Sequence, residues 1–243
     1  MLSAHPQDPT ANIPRNLIKL DESAPRAFAL EYRLASTDPL PERFQFPTAL
    51  LDSISGYHYL VEEIGYDPSD IIVVGDSAGG NLGLALCRYL VEHKGLPAPP
   101  GGLILLSPWV DLSDSHDWPG SSSLAFYMDS LTPEGISFFK NSFLGPLGSG
   151  TAVFNPYISP ASLHPSVQAH FKGFPRTFIV SGALERLLDQ IRTLKNKMVL
   201  EMGEDKVTYY EAPDSCHDYT VLNLNPQTLP TLKAIAAWLS EAP

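Results

Sequence analysis

The chain has 243 residues, 44% of them hydrophobic and 18% charged, a composition suited to one globular domain with a sizeable buried core. Sixteen basic against 27 acidic residues leave a net charge of −11, which argues against a nucleic-acid partner, since neutralising phosphates needs clustered Lys and Arg. No apolar run reaches the length of a membrane span, and the start, Met1-Leu2-Ser3-Ala4-His5-Pro6, lacks the basic and apolar regions of a signal peptide. Cys87 and Cys216 make neither a disulfide framework nor a metal site, so a cytoplasmic, reducing compartment is expected.

Residues 1–10 are polar and interrupted by Pro, and read as loop. From Thr10 to Leu20 the apolar residues Ile13, Leu17, Ile18 and Leu20 recur at near-helical spacing, with Pro14 in the first turn. Arg26 to Leu34 reads as a strand. Phe46 to Ile64 places Leu50, Leu51, Ile54, Tyr57, Leu60, Val61 and Ile64 on one helical face, and Gly65 and Pro68 stop it.

The next stretch organises the rest. Ile71 to Val74 is a short apolar, β-branched strand, followed by Gly75-Asp76-Ser77-Ala78-Gly79 and then an Ala- and Leu-rich helix from Leu82 to Leu90, where Cys87 is a small core residue. A strand, a tight turn carrying Ser and a helix form the context of a G-x-S-x-G nucleophile elbow. Such a turn strains the serine backbone, so close neighbours at Gly75 and Gly79 are expected to need the absence of a side chain.

A Gly/Pro loop over residues 94–102 leads to a strand at Leu103 to Leu106, ended by Ser107-Pro108-Trp109. Alternating strands and helices to this point predict a parallel sheet. Residues 111–173 change texture: Ser, Pro and Gly are frequent, Phe126, Tyr127, Phe138, Phe139 and Phe143 are scattered, and one helix is expected near Pro133 to Asn141. A stretch of this kind reads as a cap-like insert, its aromatics either lining a pocket or packing the insert onto the core. Alternation then resumes with a strand at Thr177 to Val180, a helix at Arg186 to Met202, a strand at Val207 to Tyr210, a loop from Ala212 to Tyr219 and a closing helix at Leu229 to Leu239.

A serine hydroxyl needs a base to take its proton and a third group to orient that base. Of the seven histidines only His217, in Asp214-Ser215-Cys216-His217-Asp218-Tyr219, follows the last strand; the other six read as surface or loop residues. The orienting acid belongs just after the strand at 177–180, where Glu185 and Asp189 both qualify. Glu185 lies in the loop at the strand end and is favoured, whereas Asp189 is a turn into the helix, where it would cap or steady that loop.

Several segments together carry a resemblance: Tyr32-Arg33-Leu34-Ala35, Phe46-Pro47, the elbow from Gly75 to Leu82, Ser107-Pro108-Trp109, Asn155-Pro156-Tyr157-Ile158-Ser159-Pro160 and Cys216-His217-Asp218. From about residue 26 onward the chain resembles the hormone-sensitive-lipase-like branch of the α/β-hydrolase superfamily, which includes arylacetamide-deacetylase-like carboxylesterases. The resemblance implies a single α/β domain over residues 1–243, its mostly parallel sheet flanked by helices and carrying the cap-like insert. It implies an esterase for acyl esters of small apolar substrates, with no metal and no cofactor. It assigns Ser77 as nucleophile, His217 as base and Glu185 as the acid, where many relatives carry Asp followed by Pro.

The family's His-Gly-Gly-Gly loop, which normally precedes the Tyr-Arg-Leu-Ala segment, has no counterpart here, so N-terminal strands are expected to be missing and Ala78 N–H is the one oxyanion donor that can be named. The strands at 26–34 and 71–75 should then pair directly, or another chain should fill the gap, unless residues 1–25 supply a donor loop. An edge left open would also be a template for a second copy, which makes a homodimer a partner to test. The alternative function is a weakly active or non-catalytic binding protein, or a remnant, that keeps the site without full turnover.

Overall fold

Four short apolar runs form one parallel sheet, β1 (Ile72–Asp76), β2 (Gly102–Leu106), β3 (Arg176–Gly182) and β4 (Val207–Ala212), in the order β1-β2-β3-β4. The computed structural model describes residues 5, 7–20, 26–221 and 224–241. Parts of the loop expected at 1–10, and residues 21–25 of the stretch in which a donor loop could lie, fall outside them. The register aligns Gly75 with Leu105, Asp76 with Leu106 and Gly182 with Ala212, so the carboxyl ends of the strands finish together. β2 is buried along its whole length, as a strand covered on both faces should be.

The helices are α1 (Asn12–Leu20), α2 (Thr48–His58, continued by a π turn over Tyr59–Glu63), α3 (Ala78–Glu92), α4 (Ser122–Ala125), α5 (Pro133–Leu144), α6 (Leu188–Met202) and α7 (Thr228–Ser240). The pleat sends Leu103, Leu105 and Ile179 to one face, where they meet Leu84 and Cys87 of α3 and Ile191, Leu194 and Met198 of α6. It sends Ile104, Leu106, Phe178 and Val180 to the other, against Ile13 and Leu17 of α1 and Leu232, Ile235 and Trp238 of α7. Tyr57 of α2 packs on Leu86 and Leu90 of α3.

Two expectations are corrected here. Residues 26–35 form no strand and do not pair with β1, which among the described residues has a strand on one side only. Instead the segment runs along α2. The Arg33 N–H and guanidinium donate to the Asp52 carboxylate at 2.9 and 2.7 Å, Leu30 packs against Gly56, and the Phe28 and Tyr59 rings sit 6.3 Å apart. Its backbone hydrogen bonding is thus diverted to a side chain, and the nearest ladder-like pairing is a single antiparallel bridge, Ser36 to Arg43.

The segment between β2 and β3 holds two helices rather than one, and α5 reaches Leu144. Its buried residues Leu112, Leu144, Ile158, Phe171 and Phe174 belong to the same core as α3 and α6. Phe143 packs against that core and against the Phe46 ring at 5.5 Å, whereas Tyr127 and Phe139 stand in solvent.

Candidate active site

β1 passes straight into α3 through Ser77, whose φ of +49° and ψ of −115° are strained for a residue with a side chain. Backbone hydrogen bonds hold the bend: Ser77 N–H donates to Leu106 O at 2.9 Å, and the Ser77 carbonyl accepts from Gly80 N–H and Trp109 N–H, each at 3.0 Å, and from Asn81 N–H at 3.3 Å. A Cβ on Gly75 would lie 2.2 Å from the Gly79 carbonyl oxygen, so that glycine is required. Gly79 is not: a Cβ there meets nothing closer than 3.8 Å. The second required glycine is Gly80, where a Cβ would sit 2.6 Å from Pro108 Cβ.

Ser77 Oγ lies 2.9 Å from His217 Nε2, on the loop after β4. Glu185, on the loop after β3, is fully buried, with Oε2 4.0 Å from His217 Nδ1. That oxygen accepts from Ser107 Oγ at 2.6 Å and from Gly182 N–H at 3.2 Å. Glu185 Oε1 and His217 Nδ1 are both buried without a hydrogen-bond partner among the described residues. The chain therefore brings Ser77 and His217 into hydrogen-bond distance and places Glu185 beside the ring, about 1 Å short of contact.

Burial dominates the electrostatics. It pushes Glu185 up to about 8, against the pull of the Ser107 and Gly182 donors, and holds His217 down to about 4 although the Asp129 charge works the other way. Asp218, the next residue, is half-buried with Oδ2 3.3 Å from His217 Nε2, and its carboxyl is raised well above the usual range by desolvation and by Asp76, Glu185 and Asp129. Ala78 opens α3, so its N–H belongs to the positive end of that helix.

Asp189 serves elsewhere. Its Oδ2 accepts Ser122 N–H at 2.7 Å and its own N–H donates to Ser122 Oγ at 3.0 Å, a reciprocal cap between α6 and α4. Of the other histidines, His116 lies in a loop, as expected, but is buried at 3% exposed, with Nδ1 2.7 Å from Asp111 and Nε2 2.9 Å from Thr193 Oγ1. Burial would raise Asp111, but bonds from His116, Ser113 and Ser115 outweigh it and hold the carboxyl at about 2.

Residues the sequence did not single out complete the surroundings. Asn81 Nδ2 donates to Trp109 O and Ile158 O at 3.0 and 2.9 Å, tying α3 to the inserted segment. Ser107 and Asp218 lie inside short stretches already marked, Ser107-Pro108-Trp109 and Cys216-His217-Asp218, but nothing in either stretch distinguishes a buried bonding role. Among the described residues no cluster of three or more His, Cys, Asp or Glu could hold a metal ion, and no helix is long and apolar enough to cross a membrane.

A parallel sheet whose strand ends gather a strained serine, an imidazole and a buried carboxyl defines the α/β-hydrolase class of fold. The chain belongs to that family: the profile described as the alpha/beta hydrolase fold matches residues 14–221. Within it the chain is hormone-sensitive-lipase-like, superimposing on a hormone-sensitive lipase from a metagenome library with a TM-score of 0.78 at 29% identity, over 96% of this chain and 72% of that one. EstE5 soaked with p-nitrophenyl butyrate gives 0.76 at 26% identity, over 98% and 70%.

Among curated relatives, the chain is 27% identical over 195 residues to esterase LipU of Mycobacterium tuberculosis, covering 80% of this chain and 62% of that protein. It is 28% identical over 200 residues to an acetyl-hydrolase of Streptomyces hygroscopicus, covering 81% and 58%. An esterase of Acinetobacter venetianus is 30% identical over 180 residues, covering 74% and 52%. The chain thus spans between half and two thirds of the length of these relatives.

Proposed function

We propose that the chain is a carboxylesterase-type serine hydrolase that cleaves acyl esters of small apolar substrates through an acyl-serine intermediate. The observation that carries this reading is the 2.9 Å separation of Ser77 Oγ and His217 Nε2 at a turn that presents the serine on a strained backbone. His217, kept neutral by burial, takes the hydroxyl proton as Oγ bonds to the ester carbonyl carbon. Glu185 accepts the Nδ1–H once the gap of 4.0 Å closes by about 1 Å, and so steadies the imidazolium.

The carbonyl oxygen becomes negative against Ala78 N–H. Collapse of the tetrahedral intermediate expels the alcohol, which takes the proton from His217. A water deprotonated by the same imidazole then releases the acid and frees Ser77. The names of the relatives, esterases and an acetyl-hydrolase, support this class of substrate. Ala78 N–H is the oxyanion donor named among the described residues, and losing one such donor costs roughly 10²–10³ in turnover.

The second reading, a binding protein with little turnover, draws on the open contact between Glu185 and His217. A fluorophosphonate probe and a short p-nitrophenyl ester decide between them. Labelling and hydrolysis that disappear in Ser77→Ala support the hydrolase; absence of labelling in the unaltered chain sinks it.

A further inference from the structure

The loops carrying Glu185 and His217 leave different strands, β3 and β4. Near those strands the backbone joins them, Ala183 N–H donating to Ala212 O and Leu184 N–H to Ser215 O, both at 2.9 Å. Farther out, where the chemistry lies, another group takes over. Asp129, 7% exposed and part of the segment between β2 and β3, accepts His217 N–H on Oδ1 at 2.9 Å and Arg186 N–H on Oδ2 at 2.7 Å. Arg186 directly follows Glu185.

We propose that Asp129 is the positioning residue of this site, a carboxylate clamp that ties the acid loop to the imidazole loop and fixes how far Glu185 stands from His217. The inference rests on the assignment of Ser77, Glu185 and His217 as the reacting set. Three features set the clamp in place. The Arg186 guanidinium donates to Ser123 O, Ser122 and Asp189 exchange hydrogen bonds, and Ser130 Oγ reaches His217 O at 3.4 Å, so both sides of Asp129 are stitched to the two loops. The segment between β2 and β3 is in this way part of the site's frame.

The clamp also carries charge. Glu185, Asp218 and Asp129 surround the imidazole, Asp76 faces Asp218, and the Arg186 guanidinium is turned to Ser123. Asp129 therefore favours the protonated form of both His217 and Glu185. Removing its charge while keeping its shape should lower both titrations, a change that loss of a merely structural bond would not produce.

The experiment uses the full chain and Asp129→Asn, whose amide can accept only one of the two N–H groups. Backbone amide exchange by NMR should show Arg186 and His217 both protected in the unaltered chain and one of the two exposed in the variant. The His217 imidazole, followed by its carbon resonance, should titrate at lower pH in the variant. Turnover of a p-nitrophenyl ester should fall roughly 100-fold with KM within about twofold, the signature of misplaced groups. Protection of both amides in Asp129→Asn, or an unmoved imidazole titration, overturns the clamp.

Should that variant fail to fold, Asp129→Glu keeps the charge on a longer stem: the titration should stay in place while both amides exchange faster, and unchanged amides again overturn it. A chain with no Ser77-dependent turnover would defeat the esterase assignment alone, because amide exchange and imidazole titration judge the clamp without catalysis.

Discussion

Ser77 Oγ and His217 Nε2 stand 2.9 Å apart across 140 residues of chain. Neither end of that contact is made locally. The serine is set by the bend between β1 and α3, and the imidazole by the loop after β4, at the opposite side of the sheet.

The bend itself makes a sharp test of the glycines. Gly75→Ala drives a methyl to 2.2 Å from a backbone oxygen, and Gly80→Ala drives one to 2.6 Å from Pro108. Each should destabilise the chain by about 1–3 kcal/mol or more, the range for overpacking a tight site. Gly79→Ala brings its methyl only into ordinary contact, 3.8 Å from Asp76 Oδ1, and sits in the first turn of α3, so it should be neutral or stabilising by up to about 1 kcal/mol. Urea unfolding of the three variants checks the order.

Activity should climb with pH. The proposed reaction needs His217 neutral, which holds above about 4, and Glu185 ionised, which burial delays until about 8. The limiting limb of kcat/KM therefore falls near the higher value, well to the alkaline side of an ordinary histidine. Ser107 donates to the Glu185 carboxylate at 2.6 Å and favours its charge, so Ser107→Ala should move that limb to still higher pH. A pH–rate profile that turns on near 6.5 in both forms would refute the assignment.

The same carboxyl should tilt stability against pH. Its folded value is raised above the ordinary 4.5, so the folded chain keeps a proton that the unfolded chain releases. Its contribution is fully present below about 4.5 and is lost as pH rises through about 8, a change on the order of a few kcal/mol. Glu185→Gln should flatten that part of the curve, as read by denaturation midpoints at pH 5 and pH 8.

Asn81 offers a test of how the inserted segment is held. Its side-chain amide satisfies two buried carbonyls, Trp109 O and Ile158 O. Asn81→Ala leaves both without a donor and should cost about 2–4 kcal/mol. Faster proteolysis within residues 111–173 should accompany it. Equal stability and unchanged cleavage would show that water replaces the amide at no cost.

Much of this protein could be read before any coordinate was known, because strand and helix periods are local. Ile72–Asp76, Gly102–Leu106, Arg176–Gly182 and Val207–Ala212 are short apolar runs bounded by turn residues, and their alternation with helices implied a parallel sheet. Ser77 and His217 were legible for the same reason, one from glycines beside a strand end, the other from its place after the last strand. The segment at 26–34 misled because its apolar content fits a strand, yet a strand exists only where a neighbour supplies hydrogen bonds, and here Asp52 supplies one instead. Asp129 carried no pattern, and Ser107 and Asn81 lay inside marked stretches that gave neither a role of its own. Each acts by meeting a backbone group or a carboxylate brought close by folding, and a single polar residue in a loop bears no mark of what it will touch. Only the three-dimensional arrangement decided which carboxyl lies buried beside the imidazole, how wide the gap between them is and which glycine cannot be replaced, since all three depend on distances between segments far apart in the chain.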